Sequence, residues 1–277
     1  MRKRLGQHFL VNPWVIQKII QTSEVHPEDT VLEIGPGLGA LTKPLSKIVS
    51  HLIAIELDES LYQHLKTIFA DVPHVRIIQA DALKMDYEKL GLQKKVKVIA
   101  NLPYYVATPI LLHLLENRTF FSTMTLMFQK EVAERVIAQP GGKAYGYLSI
   151  VCQLWSEVKF CFTVPPEAFN PPPEVDSAVL KFTVLDEPRF KVKDLNHLLK
   201  LIKQAFSQRR KTLRNTLKSH LNLIYSPLLL DKALEELHIS PHLRAEALSV
   251  EKFVLLSNYL VEQRKEFEYG DPIHVRA

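Results

Sequence analysis

From residue 30 onward the chain alternates short apolar runs with helix-length amphipathic stretches, a pattern that few folds accommodate. The runs TVLEIG, HLIAIELD, VRIIQAD, VKVIANLP and TMTLMFQ begin at residues 30, 51, 75, 96 and 123, are rich in β-branched residues and end at turn formers. Strands that read as continuous apolar runs are buried on both faces, and their alternation with helices marks βαβ units. The fold class expected is therefore α/β, with a doubly wound, mostly parallel sheet. Ligands of such sheets bind beyond the carboxyl ends of the strands, so the residues that close each run are the candidates for function.

Farther along, KEVAERVIAQ and YGYLSIVCQLW read as helices, and KFCFTV and DSAVLKFTVL as two further strands, bringing the sheet to seven. The last two suit an antiparallel edge. Between them PPEAFNPPPEVD places five prolines in the nine residues from Pro165 to Pro173, too rigid and too poor in donors for a strand interior. Composition shifts near LDEPRF, and from about residue 190 the pattern is helical, broken by Ser-Pro at 226–227 and 240–241. Two domains are expected, residues 1–185 carrying the sheet and residues 186–277 forming a small all-helical domain.

The chain has 277 residues, 47% of them hydrophobic and 23% charged, which suits a globular protein with a sizeable core. Its net charge of +5 is unevenly spread: Arg2, Lys3, Arg4 and Lys18 precede the first acidic residue, Glu24. Between Asp194 and Asp231 there is no acid, while Lys200, Lys203, Arg209, Arg210, Lys211, Arg214 and Lys218 all fall there. One-signed stretches of this kind suit phosphate contacts. The two cysteines, Cys152 and Cys161, make no disulfide framework and have no metal-ligand spacing, so no metal is expected. No apolar run approaches the ~20 residues that span a bilayer, and no cleavable leader is recognisable, so the expected setting is cytoplasmic, without a membrane partner.

VLEIGPGLGALT puts Gly35, Gly37 and Gly39 directly after the first of the apolar runs. The chain must turn tightly there, and a ligand can approach backbone that has no Cβ. The pattern fits a dinucleotide fingerprint as well as a nucleoside site without pyrophosphate. Both want an acidic residue at the end of the next strand for ribose hydroxyls, and Glu56 stands 19 residues beyond Gly37. Glu33, just ahead of the loop, suits a cationic ligand such as S-adenosylmethionine over a pyrophosphate. Asp81, closing the third run, is placed to accept from an adenine amine.

The fourth run ends in NLPYY. An exocyclic adenine amine is a poor nucleophile because its lone pair is delocalised into the ring. Two acceptors aimed at its protons would localise that pair and would strengthen as positive charge develops. Asn101 offers a side-chain carbonyl. Leu102, preceding proline, is restricted to extended backbone, which holds its carbonyl in one direction. Pro103 fixes the turn, and Tyr104 offers a flat face on which a base can stack. Alone, the five residues fit an ordinary strand-to-helix corner; at the rim shared with the glycine loop, Glu56 and Asp81 they point to a site.

With GQHFL, EIGPGLGALT, IELD, DAL, NLPYY, LMFQKEVAERV, KAYGYLSI, PPEAFNPPPEVDSAV and AFSQRRKTLRN in order between residues 6 and 215, the chain resembles the small-subunit ribosomal RNA adenine dimethyltransferases, the kasugamycin-sensitivity family. The resemblance implies a Rossmann-like class I methyltransferase fold, S-adenosylmethionine as cofactor, and dimethylation of two adjacent adenosines in a hairpin near the 3′ end of 16S rRNA. It further implies a methyltransferase domain over residues 1–185, an RNA- or ribosome-binding domain over 186–277, a monomer, and a part in subunit biogenesis. Cofactor contacts carry over onto His8, Leu10, Gly35, Gly37, Glu56, Asp81 and Asn101. Phe169, between rigid proline segments, is expected to stack on the target base opposite Tyr104. In KLIKQAFSQRRKTLRNTLK, helical spacing puts Ile202, Phe206, Leu213 and Leu217 on one face and Lys203, Arg210, Arg214 and Lys218 on a neighbouring one. Arg209, Arg210, Lys211 and Arg214 are accordingly expected on RNA phosphates. Competing readings are a large-subunit adenine methyltransferase of the antibiotic-resistance type, a mainly non-catalytic assembly factor, and a NAD-linked dehydrogenase.

Overall fold

The computed structural model describes residues 7–92, 95–221 and 227–269. The basic residues Arg2, Lys3 and Arg4 and the break at Ser226 lie outside them. By contact the chain divides into two units. One combines the chain up to Ile137 with Trp155–Glu187, the other Ala138–Leu154 with the chain from Pro188.

The first unit is built on a seven-stranded sheet. A short strand β1 (Phe9–Leu10) leads into helix α1 (Pro13–Ser23), whose amino end is capped by the Asn12 carboxamide accepting from Trp14 N at 3.0 Å and Val15 N at 3.2 Å. Val15 and Ile19 give α1 its buried stripe. The expected runs form β2 (Thr30–Ile34), β3 (His51–Glu56), β4 (Val75–Gln79), β5 (Val96–Asn101) and β6 (Phe121–Gln129). The two late runs form β7 (Ser156–Val164) and β9 (Ser177–Val184), with the two-residue β8 (Phe169–Asn170) between them. Strand order is β4-β3-β2-β5-β6-β9-β7, parallel through β6, with β9 antiparallel to both β6 and β7. Burial is almost unbroken along β2, β3 and β5, because helices cover both faces of the central strands.

Only a four-residue helix α2 (Thr42–Leu45) follows the glycine loop, and α3 (Glu59–Ile68) follows β3. After β5 the corner Tyr104–Val106 is a 3₁₀ turn that runs into α4 (Ala107–Glu116), and α5 (Lys130–Ile137) follows β6. Outside the large sheet, β1 and β8 pair antiparallel, Phe9 opposite Asn170 and Leu10 opposite Phe169. Val11 N extends this tie by donating to the Ala168 carbonyl at 2.9 Å. An extended segment near the amino terminus is thereby fastened to the proline-rich loop.

The second unit contains α6 (Tyr147–Trp155), α7 (Leu195–Ala205), α8 (Leu213–Leu221), α9 (Pro227–Glu236) and α10 (Val250–Tyr269), α6 ending in Trp155 of the first unit. Its inclusion of residues 138–154 corrects the expected division at 185/186. Those residues find their partners far along the chain: Gly141 N donates to Glu246 O at 2.7 Å, Arg189 N to Leu154 O at 2.9 Å, and the Tyr145 ring meets Phe206 edge-on at 6.2 Å. Composition marks α6 as an apolar helix but cannot say which neighbours bury it.

Candidate active site

The site assembles where β2, β3 and β5 end side by side. Gly35 N donates to Ile55 O at 3.0 Å and so carries the loop away from the sheet edge, with φ of +67° at Gly35 and +59° at Gly37. Gly37 is doubly required, since a Cβ there would stand 3.1 Å from the Phe9 ring as well as straining the backbone. Its amide donates to Glu56 Oε2 at 3.1 Å, while Glu56 Oε1 accepts from Asp58 N at 2.9 Å. Glu56 thus shapes the loop through one oxygen and the start of α3 through the other. Burial raises its pKa against the pull of these amides.

Glu33, one position before the end of β2, is 1% exposed, and its Oε2 meets no hydrogen-bond partner among the described residues. Burial pushes its carboxyl up to about 8, and the nearby Glu56 carboxylate adds to the rise. A buried carboxyl with an idle oxygen is costly unless something supplies a donor.

On β5, Asn101 pairs with Met127, and Leu102 N donates to Met127 O at 3.3 Å, which continues the ladder up to the proline. Pro103 is extended, with φ −61° and ψ 124°, and turns the chain into the 3₁₀ corner. The Asn101 Nδ2 points at the His8 carbonyl, 3.5 Å away. Among the described residues, no hydrogen bond reaches Asn101 Oδ1 or the Leu102 carbonyl. Both acceptors of the corner are thus left without a protein donor. The two tyrosines separate here: Tyr105 is 55% exposed, while Tyr104 is half-buried and lines the cavity. His8 stacks on Tyr104 with ring centres 5.7 Å apart and 28° between planes, and its Nδ1 is 2.8 Å from the Pro171 carbonyl.

Together these residues wall one open cavity. Of the residues singled out from sequence, His8, Leu10, Gly35, Gly37, Glu56, Asn101, Leu102, Pro103 and Tyr104 line it. Asp81 does not: its carboxylate caps the turn after β4, accepting from Leu83 N at 3.0 Å. Glu33, Phe9 and Leu61 line it too, and of these only Glu33 carried a signal in its place before the loop.

Phe169 departs from expectation. Its ring is 3% exposed and packs in the core with Leu10, Val15 and Ile19, so it presents no face to a base. Pairing with Leu10 turns its side chain inward, a register the prolines around it do not announce.

The basic stretch of the second unit also differs. No single helical face joins Ile202 to Leu217, because α7 stops at Ala205 and α8 starts at Leu213 with its first turn capped by Thr212, whose Oγ1 accepts from Asn215 N at 3.3 Å. Between them Arg210 and Lys211 are exposed, and Arg209 donates to the Tyr145 carbonyl at 3.3 Å. Arg214 is not free: its guanidinium grips Asp231 of α9 through two bonds of 2.5 and 2.6 Å, and Lys218 adds a contact at 3.4 Å. The sequence gap between acids had hidden this counter-charge, which comes from the next helix.

A family model described as ribosomal RNA adenine dimethylase matches residues 1–262. The ribosomal RNA small subunit methyltransferase A of Magnetococcus marinus is 44% identical over 258 residues, covering 92% of this chain and 90% of that protein. Among solved structures, a dimethyladenosine transferase from Plasmodium falciparum superposes with a TM-score of 0.81 at 28% identity, covering 94% of this chain and 98% of that one. The 23S rRNA methyltransferase ErmE shares the fold, with a TM-score of 0.69 at 23% identity over 91% of this chain and 99% of that one.

Proposed function

Because the chain belongs to the ribosomal RNA adenine dimethylase family, we propose that it dimethylates the exocyclic amines of two adjacent adenosines in a hairpin near the 3′ end of 16S rRNA. The greater identity to small-subunit relatives supports that target over a large-subunit one. It acts in the cytoplasm on the small subunit or its precursors, which gives it a part in subunit biogenesis.

The observation that carries this reading is the pair of idle acceptors, Asn101 Oδ1 and the Leu102 carbonyl, on the rim of a cavity that also holds an unpartnered oxygen of the buried Glu33 carboxyl group. S-adenosylmethionine, when bound, supplies a methyl group activated by a positively charged sulfur. The residues fit such a ligand. Glu33 offers its idle oxygen to an ammonium group, and Glu56 keeps a lone pair on each oxygen for ribose hydroxyls beyond the two amides it already accepts. His8 and Leu10 close the cavity from the side of β1. The glycine loop lets the ligand lie against backbone.

Asn101 and Leu102 act on the target base. Acceptors directed at the two amine protons favour a pyramidal nitrogen with a localised lone pair, and they strengthen as positive charge grows there. Tyr104 stacks on the base with the face that His8 leaves open and holds the nitrogen in line. Burial raises the pKa of its hydroxyl, which is taken up by Ser177 Oγ at 2.6 Å, so the ring serves as a surface. Arg210 and Lys211, exposed between α7 and α8, are the cations assigned to RNA phosphates.

The test is mass spectrometry of ribosomal RNA after unmethylated small subunits are incubated with the protein and S-adenosylmethionine. Two neighbouring dimethylated adenosines near the 3′ end are expected. Methylation confined to large subunits, or none in either, would overturn the reading.

A further inference from the structure

Tyr104 stands on a corner that buries none of its own residues and caps no side chain, so nothing local to Tyr104–Val106 sets the direction of its ring. The neighbouring Tyr105 illustrates the point, since it is left 55% exposed. Tyr104 differs through two long-range contacts: His8 stacks on one face of its ring, and its hydroxyl, at the far end of the ring, shares a hydrogen bond of 2.6 Å with Ser177 Oγ across 73 residues. Ser177 is an unusually firm anchor. It opens β9 with 0% exposure and is paired on both sides, to Gln129 of β6 and to Val164 of β7.

We propose that Ser177 is a positioning residue for base binding, which holds the Tyr104 ring at the angle needed for stacking by gripping its hydroxyl from the antiparallel side of the sheet. The inference rests on the assignment of Tyr104 as the stacking surface. A stacking ring free to rotate about two side-chain torsions must be ordered each time a base arrives; one pinned at its far end is ordered beforehand, and small misplacements cost rate steeply. The same contact distinguishes Tyr104 from Tyr105 and from a phenylalanine: the hydroxyl is kept for anchoring and the ring for the substrate.

The experiment uses the full chain with Ser177→Ala, Tyr104→Phe, the double variant and Ser177→Thr. Each single change is expected to raise KM for unmethylated small subunits, or lower kcat, by about two- to tenfold, the range of one hydrogen bond. KM for S-adenosylmethionine should stay unchanged, the double variant should be no worse than either single one, and the threonine, which keeps the hydroxyl, should restore activity. Independent, multiplying effects of the two changes, or a cofactor KM that rises with them, would overturn the proposal, because a merely structural serine gives either. NMR of labelled tyrosine in the free protein separates this from the substrate reading. Ser177→Ala should shift the Tyr104 ring signals and speed its flipping even if small subunits prove not to be the substrate, and unchanged signals would dispose of the anchor.

Discussion

One wall of the cavity comes from neighbouring strand ends: Gly35–Gly37 after β2, Glu56 on β3 and Asn101–Tyr104 at the end of β5. The other comes from His8–Leu10, fixed by partners as distant as Pro171, 163 residues away. In the first wall each residue's place follows from the strand that carries it, so a short motif suffices to specify it. In the second, place follows from the pairing of β1 with β8, which depends on register and on nothing local.

That contrast accounts for what could be read in advance. The central strands, the antiparallel edge and the first wall were legible because apolar runs, glycines and a pre-proline residue act through neighbouring backbone. The loop from Pro165 to Pro173 was not: its prolines correctly announce rigidity, yet Phe169 turns into the core because it stands opposite Leu10. Ser177 gave no signal, since a serine at a strand start acquires meaning only when Tyr104 reaches it. Likewise the Asp231 partner of Arg214 was hidden by sequence distance.

Substitutions on the first wall and in the core behind the second should separate them. The largest effect expected is on Phe169→Ala, which as a core change should lower unfolding free energy by about 3–5 kcal/mol in urea titrations. A nearly unchanged midpoint together with lost RNA affinity would return Phe169 to the substrate side. On the first wall, Asn101→Ala should cut kcat by about 10²–10³, as loss of a preorganised polar group does, with small-subunit binding retained. Unimpaired turnover would remove Asn101 from the chemistry. Glu56→Ala should weaken S-adenosylmethionine binding by about 10- to 100-fold in calorimetry, the range for a hydrogen-bonded charged group, and equal affinity would show that Glu56 only braces the glycine loop.

A pH effect sharpens the comparison within the first wall. Burial raises Glu33 to about 8, whereas in the unfolded chain a glutamate titrates near ~4.3. Between those values the folded state holds the extra proton, so the stability of the free protein should fall as pH rises through the window and level off above it. Glu33→Gln should flatten that slope in melting curves, and parallel curves for the two proteins would mean that Glu33 is already ionised in the fold. The smallest effect is expected at Asp81. It is off the cavity wall with its side chain 30% exposed, and Asp81→Ala should change cofactor affinity by less than about 1 kcal/mol. A loss matching that of Glu56→Ala would extend the site to a third strand end.

The pairing of Phe9 with Asn170 has a consequence for the order of events during synthesis. The strands that carry the glycine loop and Asn101 emerge long before residue 170. At about 5–20 residues per second the amino-terminal segment waits roughly 8–30 s for its partner. The growing chain therefore holds the parts of a methyl-transfer site for many seconds without the wall that completes it, and its competence arrives only as β8 and β9 leave the ribosome.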